Sequence, residues 1–342
     1  MNRPRVATLL LALLALLGAS SARAQTIQYK PLLQNPKVTD TDPAPSPDGK
    51  WIAFQSNRSG SSQIWVMPAG GGTPRKVTSE PDSVSTQGRR MPCRVMTPTW
   101  SPDSKTILFV STRSGPYNIY AIPFAGGVKP KPLSRAAGSQ RFPVYSPDGQ
   151  RICFPSSRGD PNSLYGFNLY MMTAAGEIDG PPARQLTHSK GSPGHPVWSP
   201  DGKWIAYVSK DFDSTRTVNV GNGMQAKQSA LFSQFRVFKI SAGGGAETKL
   251  TGISAAEQGT AEDTWPSWSP DGKWIAFGRN ANGVQNIWVI DVVTRKAFPL
   301  TNMGGCMKPT WSADGKSLYF TKLKERDEDL WVATNLGLTT RR

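Results

Sequence analysis

The sequence predicts an all-β chain, a six-bladed β-propeller closed by an N-terminal strand in its last blade. Three observations carry that expectation. A Ser-Pro-Asp-Gly turn recurs six times, each copy is followed by the same order of short apolar runs, and the last copy lacks the fourth run that closes the others. Repeats of this length are the signature of stacked supersecondary units.

The turns are Ser46-Pro47-Asp48-Gly49, Ser101-Pro102-Asp103-Ser104, Ser146-Pro147-Asp148-Gly149, Ser199-Pro200-Asp201-Gly202, Ser269-Pro270-Asp271-Gly272 and Ser312-Ala313-Asp314-Gly315. Proline presets φ at the second position, Asp suits the third, and Gly accepts a positive φ, so the chain reverses there. An aromatic residue stands before the Ser in five copies: Trp100, Tyr145, Trp198, Trp268 and Trp311. An apolar run follows each turn, as in Trp204-Ile205-Ala206-Tyr207. A third run comes next, as in Ile287-Trp288-Val289, and a short fourth run such as Leu300-Thr301 ends the unit. These runs are brief, rich in β-branched and aromatic residues, and bounded by turn formers, which is strand chemistry.

The distance from the turn Asp to the third-run aromatic is 17 residues in four units, 22 in the third (Asp148 to Tyr170) and 37 in the fourth (Asp201 to Phe238). Insertions are therefore expected between the second and third strands of units three and four. Four strands in each of six units argue a propeller. The expected blades span 44–78, 97–134, 143–187, 196–251, 266–301 and 309–333, the last completed by residues 36–39. Pro36-Lys37-Val38-Thr39 resembles Pro74-Arg75-Lys76-Val77-Thr78, and pairing it with the last blade would remove the free edges.

Ahead of the repeats, Arg3 and Arg5, the apolar run Ala7 to Leu17 and Ala22-Arg23-Ala24 form a secretory leader with cleavage expected before Gln25. The run is too short for a bilayer core of about 30 Å, which takes roughly 20 helical residues. The expected layout is a leader at 1–24 and one propeller at 25–342 in the periplasm, with no transmembrane segment left after cleavage. Removing three basic and no acidic residues leaves 37 basic against 24 acidic, a net +13. In that compartment the balance is read as affinity for anionic envelope polymers or acidic proteins, or as the composition of a basic proteome; nucleic acid is not an expected partner. Three cysteines give no disulfide framework, so the fold rests on its apolar core.

The pattern Pro-x-Trp-Ser-Pro-Asp-Gly-Lys-x-Ile-Ala-Phe, then Ser-x-Arg-x-Gly, Ile-Trp-Val and Leu-Thr, resembles the propeller repeats of the TolB family over essentially the whole mature chain. That family carries an α/β domain ahead of its propeller, where this chain has about a dozen residues, so contacts made by that extra domain are not carried over. The resemblance implies a periplasmic docking propeller. The expected function is non-catalytic binding or scaffolding in the cell envelope, on a protein or an anionic polymer, by a monomer with no cofactor. The alternative is a metal-assisted lyase or hydrolase acting on acidic glycans.

With the first strand of each blade innermost, the Asp-Gly turns share one face. The inter-blade loops and the insertions Ser79–Thr97, Lys210–Phe235 and Gly252–Trp265 share the other, where binding residues concentrate. The residues before each inner-strand proline, Asp42, Thr97, Phe142, His195, Trp265 and Lys308, are expected to line the mouth of an axial channel. Arg58, Arg113, Arg158 and Arg279 recur just after the second strand. They are read either as a guanidinium ring for carboxylate or phosphate or as ties between blades.

No catalytic residue is assigned. The chain has two histidines, His188 and His195, and no Gly-x-Ser-x-Gly elbow. A thin metal set of His188 and His195 with Glu262 and Asp263 is the glycan-enzyme reading. Met91, Cys93, Met96, Met303, Cys306 and Met307 admit three readings: a Cys93–Cys306 disulfide, a copper(I) site or simple packing. Cys153 is expected to be buried and reduced in the second strand of blade 3.

Overall fold

The computed structural model describes residues 26–79, 93–160, 166–211, 234–252, 261–325 and 327–338, with the backbone of strands 83–84, 90–91, 215–219 and 225–229. The expected leader at 1–24 lies outside the described residues, as does most of the three expected face insertions. Among the described residues every regular element is a strand, and six four-stranded antiparallel sheets form the six blades.

Blade 1 is Asp40–Pro45, Trp51–Ser56, Gln63–Pro68 and Arg75–Lys76. Blade 2 is Val95–Trp100, Thr106–Ser111, Asn118–Pro123 and Lys131–Pro132. Blade 3 is Val144–Tyr145, Arg151–Ser156, Asn168–Thr173 and Arg184–Gln185. Blade 4 is Gly194–Trp198, Trp204–Asp211, Gln234–Ser241 and Thr248–Lys249, and its insertion carries the hairpin Thr215–Asn219/Gln225–Ser229. Blade 5 is Glu262–Trp268, Trp274–Ala281, Val284–Asp291 and Ala297–Pro299. Blade 6 is Cys306–Trp311, Ser317–Lys324 and Asp327–Thr334, completed by Gln28–Pro31.

The closing strand is N-terminal as expected, but its position differs. Gln28–Pro31, not residues 36–39, pairs with Asp327–Thr334 in the register Gln28↔Thr334 to Pro31↔Trp331. The reason is distance. The inner strand of blade 1 begins at Asp40, directly after Thr39, while the outer strand of blade 6 lies three strand spacings away, about 14 Å. The chain needs residues 32–39 to cross from rim to axis. Lys37 adopts φ 68° on the way, and Thr39 N–H donates to Asn57 Oδ1 (2.9 Å) to start the inner strand.

Each blade packs on both faces, which explains the near-continuous apolar runs. Alternation along a strand sends neighbours into different seams: Ile52 and Phe54 face blade 6, and Ala53 faces blade 2. Six apolar clusters result, one at each seam. Within every blade one aromatic pair crosses the second and third strands: Phe54↔Trp65, Phe109↔Tyr120, Phe154↔Tyr170, Tyr207↔Phe238, Phe277↔Trp288 and Phe320↔Trp331. Such pairs set strand register.

The repeated turn is held by its own side chains. In all six copies the Ser hydroxyl donates to the Asp carboxylate at 2.5–2.6 Å. The same Ser oxygen accepts the N–H of the residue five positions on, as from Trp274 at 2.9 Å, and the Asp accepts the N–H two positions on, as from Lys273 at 3.1 Å. The Ser side chain thus satisfies groups that the tight turn would leave unpaired. Ser269→Ala is expected to cost about 1–2 kcal/mol, because Trp274 N–H loses its acceptor and Asp271 its donor. A urea titration checks it.

The turns also touch one another. A Cβ at Gly149 would lie 3.7 Å from Pro102, at Gly202 3.8 Å from Pro147, and at Gly315 3.5 Å from Pro270. The proline of one blade therefore seats on the glycine of the next, and the six turns form a belt. Both departures from the motif fall on the seams of blade 1. Ser104, at φ 60°, accepts Asp48 N–H through its hydroxyl (3.1 Å), and Ala313 stands against Gly49. The Leu-Thr signature has a similar logic: Thr78, Thr187, Thr251 and Thr301 hydroxyls accept the N–H of Ile64, Leu169, Val237 and Ile287 at 2.9–3.0 Å, where the short fourth strand ends.

Candidate functional site

The axis is shaped by one device repeated in every blade. Asp42, Thr97, Phe142, His195, Trp265 and Lys308 all have positive φ, between 44° and 55°, and each precedes a proline. The proline has no N–H for the ladder. In blades 1, 2, 4, 5 and 6 the inner-strand register shifts across this pair, as between Thr41 and Ala44. In blade 3 the ladder resumes only at Val144, after the bridge Gln140↔Ser156. A bulge of this kind re-aims a side chain, and a left-handed non-glycine residue costs about 1 kcal/mol or more. All six line one axial cavity of about 290 Å³, together with the prolines that follow five of them.

The ring is divided chemically. Blades 3, 4 and 5 give an aromatic arc: Phe142 and His195 have ring centroids 3.9 Å apart, and His195 meets Trp265 edge-on at 5.7 Å. Blades 6 and 1 give a charged arc. Lys308 Nζ donates to Thr41 Oγ1 at 2.6 Å, lies 3.4 Å from Asp42 Oδ1 and 3.6 Å from Glu328 Oε2, and sits over the Trp265 ring at 5.8 Å. Burial raises the Asp42 pKa despite the pull of Lys308. His195 is pushed down to about 3, first by burial and then by the positive charges of Lys308 and Arg141, so its imidazole is neutral at pH 7. Its Nδ1 is buried and has no hydrogen-bond partner, as is Thr97 Oγ1.

Phe142 and His195 also wall a second cavity of about 220 Å³, lined by Arg141, Pro155, Phe167, Pro193, Val208 and Phe235 among others. Its residues sit at the starts of first and third strands and the ends of second strands, so it lies towards the loop-rich face. Sequence reasoning missed Arg141, Thr41 and Glu328. Arg141 was findable in principle: its place in the other blades is held by Thr41, Met96, Gly194, Thr264 and Met307, and a lone cation in that column is anomalous.

Other expected site residues are distributed differently. The recurring arginines do not line the channel; Arg58, Arg158 and Arg279 each hold a carboxylate of their own blade, and Arg279 also donates to Gly252 O, in the connection leaving blade 4, at 3.1 Å. Arg58 grips buried Asp40 at 2.7 and 2.8 Å, Arg158 pairs with Glu177, and Arg279 binds Asp263 at 2.7 and 3.0 Å. Each also covers its own blade's aromatic pair, with guanidinium-to-ring distances of 4.6–5.4 Å for Arg58, Arg158 and Arg279; Arg113 covers Tyr120 at 5.3 Å. A group stacked at the end of an aromatic pair and neutralised by a buried carboxylate is spent on the fold.

His188 is exposed on the rim beside Arg184 and the Gly243–Gly245 turn, in a different pocket from His195. Glu262 is exposed, and Asp263 is taken by Arg279. The four-residue metal set is therefore not assembled; among the described residues no group of three His, Cys, Asp or Glu is placed to hold a metal ion.

The Cys93–Cys306 disulfide is also not formed. All three thiols are free and buried. Cys93 lies in the core between blades 1 and 2, Cys153 between 3 and 4, and Cys306 between 5 and 6. Two whole blades separate the first from the last, far beyond the roughly 7 Å a disulfide spans. Burial raises the Cys153 and Cys306 pKa values, which disfavours the reactive thiolate. The native protein is expected to resist a thiol-specific reagent until denatured, when three equivalents react. A mixed-disulfide peptide in a non-reducing map would contradict this.

The fold and its axis define the class: a six-bladed β-propeller with a ringed axial cavity. Residues 89–216 match the family model for the TolB β-propeller domain. It is 28% identical over 184 residues to "Uncharacterized peptidase YuxL" of Bacillus subtilis, a match covering 49% of this chain but 21% of that relative. The chain thus spans about a fifth of that relative's length. It is 29% identical over 246 residues to "Uncharacterized protein Atu1656" of Agrobacterium fabrum, covering 71% of this chain and 70% of the relative. Among solved structures, a protein assigned as TolB from Agrobacterium tumefaciens superposes with TM-score 0.62 at 21% identity, covering 90% and 97% of the two chains. An oligogalacturonate lyase in complex with manganese superposes with TM-score 0.55 at 15% identity, covering 91% and 94%. Identities this low show the shared fold alone.

Proposed function

We propose that this chain is a non-catalytic binding propeller of the cell envelope, docking a protein or anionic polymer on its loop-rich face. One observation carries the reading. Six non-glycine residues, one from each blade, are held in left-handed conformation around a single axial cavity. Strain maintained at one place is a mark of a functional site. The fold alone asks only for a bulge at these positions, and the mixed aromatic and charged ring is chemistry beyond that. The leader at 1–24, the net +13 of the remaining chain and the TolB-like repeats support a periplasmic location and anionic partners.

Site-specific photocrosslinking in the native envelope tests it. A crosslinking residue at Arg94, exposed on the loop-rich side of blade 2, is expected to trap a partner; one at Val128, exposed in the turn between the third and fourth strands on the other face, is not. Capture from Val128 alone would overturn the assignment of the face. The glycan-lyase reading has fold likeness to an oligogalacturonate lyase behind it. Turnover of oligogalacturonate by the purified chain with manganese, abolished in His195→Ala, would replace the binding reading with that one.

A further inference from the structure

We propose that the cavity beside the axial ring is a recognition pocket for a carboxylate monoanion carried on a small apolar body, with Arg141 as its anchor. It rests on the reading that the loop-rich face binds a ligand, and it names the chemical group bound there.

Arg141 is gripped between two aromatic rings, Tyr117 at 5.4 Å and Phe167 at 5.1 Å. Its backbone N–H donates to Pro155 O at 3.0 Å, which fixes the residue at the cavity wall. Its Nε–H is buried without an acceptor, and among the described residues no carboxylate pairs with it. The contrast with Arg58, Arg158 and Arg279 is direct: those three stack on aromatic rings and also hold a carboxylate. Arg141 has the stacking without the anion. A guanidinium whose buried Nε–H has no acceptor carries a cost, and stacking fixes the planar fork in advance for bidentate recognition.

A second orphan borders the same cavity. His195 Nδ1 is buried with no partner, and the imidazole is neutral. The remaining walls are Phe142, Pro155, Phe167, Pro193, Val208 and Phe235. The charge count sets the ligand's charge. Lys308 is already offset by Asp42 and Glu328, and His195 carries none, so Arg141 supplies one positive charge. A phosphate dianion calls for more cations than this wall offers. A volume of about 220 Å³ falls below the ~300 Å³ at which drug-sized pockets begin, which suits one ring or branched chain bearing its carboxylate. That chemistry is found in a free organic acid and at the C-terminus of a peptide ending in an apolar residue.

Isothermal titration of the mature chain with 3-phenylpropionate tests the proposal, with 3-phenylpropionamide as the neutral isostere. One saturable site is expected, at least about tenfold weaker for the amide, because the guanidinium then has no anion to pair with. The comparison uses the wild-type protein and holds even if a variant misfolds. Arg141→Gln is expected to reduce acid affinity about tenfold or more with a retained melting transition, and Arg141→Lys to restore part of it. N-acetyl-Gly-Gly-Phe and its C-terminal amide distinguish the sources. Tighter binding of the peptide acid than of 3-phenylpropionate assigns the pocket to a chain end, and the reverse assigns it to a free acid. No saturable binding, equal binding of acid and amide, or an undiminished affinity in folded Arg141→Gln overturns the proposal and leaves the two orphan atoms to ordered water. Such a failure alongside successful crosslinking at Arg94 removes the pocket and keeps the docking face; acid binding without crosslinking does the opposite.

Discussion

A chain that begins at residue 34 is expected to melt about 10 °C below one that begins at residue 25, or to aggregate on refolding. Its last blade loses the strand Gln28–Pro31 and the bond from Tyr29 Oη to Leu300 O at 2.6 Å, which ties blade 6 to blade 5. It also loses the contacts of Ile27, Tyr29, Leu32 and Leu33 with the cores on either side of blade 6. At about 1 kcal/mol for each of these four half-buried side chains the loss is roughly 4 kcal/mol, and a domain of this size shifts by about 2–4 °C per kcal/mol. Asp327–Thr334 becomes a free edge. Lys37→Gly, in the segment that only crosses from rim to axis, suits the local φ of 68° and should leave the melting temperature almost unchanged. Equal melting of the two truncations, measured calorimetrically, would show that closure contributes nothing.

Stability is expected to fall by about 2 kcal/mol between pH 7 and pH 5 through His195 alone. The sign follows from where the proton binds. In the unfolded chain the imidazole titrates near 6.5; in the folded protein burial, Lys308 and Arg141 hold it down to about 3. Between those values the unfolded state takes up a proton that the native state refuses. The contribution is therefore full above pH 6.5 and lost as pH falls towards 3. Asp42 acts in the opposite sense, since its pKa is raised by burial and protonation relieves the native state. Asp48, Asp103, Asp148, Asp201 and Asp314 have pKa values lowered by their Ser hydroxyls, so their contribution disappears only below the ordinary Asp range near 3.9. Comparing the wild type with His195→Gln by urea titration at pH 7 and pH 5 isolates the histidine. The same loss in both proteins would assign the acid sensitivity elsewhere.

The repeat made most of the fold legible. A residue type that recurs six times in one place, such as the Ser and Asp of the turn, reports a local geometry that each blade needs. The X-Pro positions were found by the same logic, and the structure gathers all six around one cavity. The closing strand was misplaced because Val38-Thr39 resembles Val77-Thr78 while the sequence carries no measure of the radial distance the chain must then cross. The arginines after the second strand were ambiguous because their partners, Asp40, Glu177 and Asp263, lie 16 to 19 positions away with no common spacing sign. The two cysteines share similar neighbours in sequence, yet they fall in different seams of a ring whose seams do not communicate. Arg141 escaped for the opposite reason: it occurs once, and a search for what repeats passes over what does not.

The clasp has a mechanical meaning. Gln28 stands opposite Thr334, and Thr334 opposite Ser317 just past the last Asp-Gly turn, so the first and last strands of the ring end side by side. Tension applied between those two ends pulls along the hydrogen bonds of a single antiparallel pair, not across them. The pair would part like a zipper, from Gln28 to Pro31, with each bond bearing the load in turn. Heat must loosen six apolar seams together, whereas a modest tug at this corner needs to free only one short strand and the two residues after it before the circle opens.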